Sequence, residues 1–150
     1  MEQRFADYLD RVRAHRAELG EAIRALEDSL ALPPEPVEVW RRRVRASLTE
    51  LAHDLRDHVA LTEAPDGLYA DLVDTAPRLS SAVDAQLADH RYFLDEVNRL
   101  LDDRDSGEAG LDTARHRAAI EAVLARLMQH RQRGSDLIHS AYEVDIGGSG

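Results

Sequence analysis

Apolar residues recur along this chain in alternating steps of four and three, the spacing that keeps side chains on one face of a 3.6-residue helix. Over residues 3–31 the stripe reads Tyr8, Val12, His15, Leu19, Ala22, Leu26 and Leu30. Pro33 and Pro34 end that helix, and Pro36 can open the next at its first turn, where a missing N–H is harmless. The second helix, over 36–62, carries Trp40, Val44, Leu48, Leu51, Leu55, His58 and Thr62. Ala64-Pro65-Asp66-Gly67 breaks it with turn chemistry, and residues 68–74 predict a short helix or turn. Pro77 opens the third long helix, over 78–103, with Leu79, Val83, Leu87, His90, Leu94, Val97 and Leu101 on its stripe. After the polar loop Ser106-Gly107-Glu108-Ala109-Gly110, a fourth helix over 111–142 presents Ile120, Val123, Leu127, Leu137, Ile138 and Ala141. His116, His130 and Gly134 fall within it. Nothing alternates with period two, so no strand is predicted. The expected fold is all-α: an antiparallel up-down-up-down four-helix bundle with a short extra helix between the second and third long helices. It forms one domain over 1–146, with 147–150 as a disordered tail.

Five of the seven histidines, His15, His58, His90, His116 and His130, stand on these stripes where a leucine would serve the core. A buried imidazole needs a hydrogen-bond partner or a metal, because an unpaired polar group in a dry interior costs a few kcal/mol. Histidines facing inward from several helices of a bundle are a way to build a nitrogen-rich metal site. His116 cannot share a site with His130, because helical rise separates them by roughly 20 Å. His53 pairs with Asp57 at i,i+4, as Asp54 does with His58, making Asp54 a candidate for orienting the His58 ring.

Composition removes several alternatives. The absence of cysteine excludes disulfides, thiolate metal sites and cysteine nucleophiles. A formal net charge of −10 argues against binding nucleic acid or an anionic membrane surface. Arg41, Arg42, Arg43 and Arg45 around Trp40 read as a solvated helix face. No serine has a nucleophile elbow and no glycine-rich phosphate loop is present, so an enzyme is not expected. With no signal-like start and no apolar run near 20 residues, a cytoplasmic location is expected.

The run His58-Val-Ala-Leu-Thr62-Glu63, then Gly67-Leu68 and Pro77-Arg78-Leu79, resembles the second helix and following turn of hemerythrin-like (HHE cation-binding) domains. Asp89-His90 is similar to that family's third-helix histidine. Leu127-Met128-Gln129-His130, with Ala141-Tyr-Glu-Val-Asp145-Ile146-Gly147, resembles its last helix and tail. His15 stands where the first-helix histidine would. The resemblance implies a four-helix bundle holding a non-haem di-iron centre, with five histidines and two bridging carboxylates, that binds oxygen or senses iron and redox state. The sequence departs from that ligand set. Thr62 stands where the family has a glutamate, Leu94 where it has a second histidine, and Gly134 and Ser135 where an acidic residue is expected. The ligand set that remains is His58, His90 and His130 with His15, and Glu63 as a strained extra ligand, around one ion rather than two.

Two readings follow. One is a hemerythrin-like protein holding a metal, iron, for oxygen or redox sensing or iron handling, with the metal ion and O2 as its partners. The other is a metal-free bundle that kept the fold and acts through protein contacts.

Overall fold

The structure, a computed structural model, describes residues 2–102 and 113–144. The expected loop at 106–110 and tail at 147–150 lie outside the described residues. Helix α1 spans Glu2–Ala31, α2 Val37–Glu63, α3 Leu68–Thr75, α4 Ser80–Asp102 and α5 Thr113–Ile138. A 3-10 turn, Pro77–Leu79, leads into α4, and α5 widens into a π-helical turn over His139–Val144. The four long helices form the helical bundle expected from the stripes, α3 is the short extra helix, and no strand occurs among the described residues. No described helix is long and apolar enough to cross a membrane.

The breakers act where their chemistry places them. Pro36 caps α2 through its carbonyl, which accepts from the N–H groups of Val39 and Trp40 at 3.1 Å each. Between α2 and α3 the chain turns on Gly67, whose N–H donates to the Ala64 carbonyl at 2.8 Å. The Tyr8 hydroxyl ties this corner to α1: it donates to the Leu61 carbonyl at 2.7 Å and accepts from the Leu68 N–H at 2.5 Å. A Cβ at position 67 would lie 2.9 Å from the carbonyl oxygens of both Ala64 and Leu61. Backbone cannot yield as a side chain can, so Gly67→Ala is expected to destabilise the fold by about 1–3 kcal/mol, the usual range for overpacking. Chemical denaturation of the two proteins checks this.

The core comprises two apolar clusters. One includes Leu26, Trp40, Val44, Leu51, Phe93 and Ile120. The other, toward the α2–α3 corner, includes Tyr8, Leu68, Tyr69, Leu72, Val83 and Leu137. On each long helix a histidine separates the clusters: His15 between Val12 and Leu19, His58 after Leu55, His90 between Val83 and Phe93, His130 between Leu127 and Leu137. Thr62, Gln86 and Asp89 are buried at this same level of the chain order. The bundle is thus two hydrophobic cores with a polar layer between them.

The stripes of α1 and α2 are buried as the spacing predicts. That of α4 is rotated from expectation. Val83, Gln86, Asp89, His90, Phe93, Val97 and Leu100 are buried, while Leu79, Leu87, Leu94 and Leu101 are half-buried. The leucines flank the helix contacts, and Phe93 takes the centre with its ring edge-on to His130. Hydropathy favours the leucine row because it cannot register that Gln86 and Asp89 find partners across the bundle.

Candidate metal centre

His58, His90 and His130 arrive from α2, α4 and α5 with their rings at one point. His90 Nε2 lies 3.2 Å from His130 Nε2, which lies 3.4 Å from His58 Nε2. All three side chains are buried, and their nitrogens can hold a metal ion. Two nitrogens at about 2.0–2.1 Å from a tetrahedral ion stand about 3.3–3.4 Å apart. The observed separations match that edge.

The outer face of each ring determines what its inner face offers. His90 Nδ1 donates to Glu63 Oε2 at 2.6 Å, and His130 Nδ1 donates to Asp89 Oδ2 at 2.9 Å. A carboxylate can only accept, so both rings carry their proton on Nδ1 and turn a bare Nε2 lone pair toward the cluster. Burial keeps the rings neutral. It depresses His58 to about 2, helped by the neighbouring histidines, and His130 to about 4 against the opposing pull of Asp89. His90 is likewise lowered by burial, partly offset by Glu63. Two lone pairs therefore face each other across 3.2 Å. A cation removes that repulsion.

Asp89 anchors this arrangement. It is 2% exposed and accepts from His130, from Arg126 Nε at 3.0 Å and from Arg133 at 3.0 Å. Burial alone would raise its carboxyl. The hydrogen bonds from His130 and Arg126 and the charge of Arg133 outweigh that and hold it below the usual range. Asp89→Ala is expected to lower stability by about 1–3 kcal/mol, because His130 Nδ1 is left buried and unpaired. It is also expected to weaken metal binding by about 10- to 100-fold, the usual effect of losing a residue that orients a ligand. Thermal melts and a metal titration measure the two effects separately.

The structure does not bring the remaining expected ligands to the cluster. Glu63 lies behind His90, on Nδ1, and so stands on the side of the ring away from the Nε2 cluster. His15 Nε2 donates to the Asp54 carbonyl at 3.1 Å, while its ring stacks on His58 at 5.9 Å. Asp54 does not orient His58, whose Nδ1 is buried with no hydrogen-bond partner. His116 is half-buried and packs edge-on against Trp40, a residue of the other apolar cluster. Thr62 donates its hydroxyl to the His58 carbonyl at 2.7 Å, the helical back-bond typical of threonine. Leu94 packs against the core. At Gly134 a Cβ would lie in contact with the Gln86 amide, 3.4 Å away, beside the cavity that both residues line.

Sequence reasoning missed Tyr69 and Gln86, and named Asp89 only as a neighbour of His90. Tyr69 Oη lies 3.2 Å from His90 Nε2. Gln86 donates to the His130 carbonyl at 3.1 Å, which leaves its buried Oε1 without a partner. Both residues, with His58, His130, Val12 and Leu19, line a cavity of about 30 Å³. About 10–15 Å³ is enough to hold a water, so the space suits one small molecule. For none of these polar residues does helical periodicity single out a partner on another helix. The chain matches no protein-family model, no curated protein and no solved structure.

Proposed function

We propose that this chain is a hemerythrin-like bundle that binds one transition-metal ion, iron, through His58, His90 and His130, and that it senses redox state or oxygen without being an enzyme. The observation that carries the reading is the pair of Nε2 lone pairs held face to face at 3.2 Å by carboxylates on their far sides. The nature of the donors favours one ion over two. No carboxylate oxygen among the described residues is within hydrogen-bond reach of the Nε2 atoms. A bridged pair of irons therefore does not fit these residues, and a single ion does. Bound iron would supply one-electron redox chemistry. The protein's own parts hold it, orient it through Glu63 and Asp89, and keep bulk water out with the apolar cluster on either side. The small cavity beside the histidines suits one small molecule better than a store of many ions.

In the metal-free alternative, the Tyr69 hydroxyl and a proton on His58 Nε2 must neutralise the two lone pairs over 3.2 and 3.4 Å. These are long hydrogen bonds. Metal analysis of protein purified without an affinity tag, together with melting in the presence and absence of chelator, separates the readings. We expect about one ion per chain, since the donor set closes around one centre. Removing it should lower Tm by roughly 5–10 °C. That range combines about 2.7 kcal/mol of linkage at a hundredfold excess over Kd with about 2–4 °C per kcal/mol at this size. Absence of metal, with identical melting in both conditions after reloading with iron, would overturn the proposal.

A further inference from the structure

Three neutral rings offer no anionic donor to a bound ion on the inner face of the cluster. The acids expected there from the resemblance are absent, and Glu63 and Asp89 are committed to the Nδ1 side of the rings. One oxygen does reach the inner face. Tyr69, the second residue of α3, is 6% exposed and brings its Oη to 3.2 Å from His90 Nε2. That separation is close to the spacing between the nitrogens themselves, 3.2 and 3.4 Å. Tyr69 also lines the cavity that His58 and His130 line. Its position is set by the Gly67 turn and by the Tyr8 hydroxyl that receives the Leu68 N–H, so the phenol is delivered by a braced corner of the fold.

We infer that Tyr69 is the fourth ligand of this centre, replacing the carboxylates with a phenolate. The inference rests on the metal reading above. On binding, the phenol O–H bond breaks, its proton leaves to solvent, and an oxygen–metal bond forms with no change of oxidation state. A hard, anionic oxygen beside three imidazoles favours ferric iron over zinc, which has no comparable need for a hard donor.

The test loads the full chain and its Tyr69→Phe variant with ferric iron, and separately with zinc, under matched conditions. Phenolate bound to ferric iron gives a visible charge-transfer band and resonance-enhanced phenolate vibrations. Wild type should show both. Tyr69→Phe should lose both while still taking up metal through the histidines, with ferric affinity reduced more than zinc affinity. Wild type that binds iron without a phenolate band overturns the assignment and leaves the three-histidine site standing. A band that survives in Tyr69→Phe also overturns it. Failure of wild type to bind either metal overturns both the assignment and the reading beneath it. The wild-type spectrum suffices to decide if the variant does not fold.

Discussion

Replacing His130 by alanine is expected to lower metal affinity by about 100-fold or more. Apparent binding energies of roughly 10–16 kcal/mol for tetrahedral sites, shared among four ligands, leave about 2.5–4 kcal/mol per ligand. His130 is the position with the largest expected loss because it is the hinge of the cluster. Its Nε2 is within 3.2 Å of His90 and 3.4 Å of His58, and its Nδ1 is the group that Asp89 anchors. His15→Ala supplies the contrast. Its Nε2 is occupied by the Asp54 carbonyl, so affinity should stay within a few-fold of wild type. Competition titrations against a chelator of known affinity compare the three proteins. Wild-type affinity in His130→Ala, or a loss in His15→Ala as large as that in His130→Ala, would mean that the ion sits elsewhere.

The metal-free protein should also lose stability steeply as pH falls from 7 to 5. His58 and His130 have folded-state values near 2 and 4, below the ordinary 6.5 that they regain on unfolding. Below pH 6.5 the unfolded chain takes up protons that the folded chain refuses. Stability therefore rises with pH through this window and falls on acidification. Each histidine contributes about 2 kcal/mol between pH 7 and pH 5, and the pair about 4 kcal/mol, a large part of an ordinary domain's stability. His90, also lowered by burial, acts in the same direction. Asp89 does not oppose it there, because a carboxyl held below its usual value gives up its stabilisation only under about pH 4. Urea denaturation at the two pH values gives the difference directly. Equal stability at both would show that these rings are not held neutral.

Four helices, their breakers and the short insert were legible because helix formation is local. Side chains three and four residues apart share a face whatever they later pack against, and Pro33, Pro34 and Pro65 disrupt a helix in any context. The same spacing placed His58, His90 and His130 inward, and their order along the chain carried the resemblance that linked them. That resemblance implies other donors at the positions of Thr62, Leu94 and Gly134, and hence acids that a bridged pair of ions would need.

What the sequence by itself determined, then, is a one-face pattern on each helix and the presence of imidazoles in it. The tertiary structure decided the partners. Glu63 was read as a ligand from its proximity to His58, but the packing of α2 against α4 sets it behind His90. Asp89 stands next to His90 in the chain, yet it orients His130 across the bundle. Tyr69 lies in the segment 68–74, read from the sequence only as a short helix or turn, and the corner built by Gly67 and Tyr8 brings its hydroxyl to His90 Nε2. Helical periodicity reports which way a side chain faces to within a fraction of a turn. Ligation and hydrogen bonding depend on distances of a few tenths of an ångström between helices, and those are fixed by how the two apolar clusters pack.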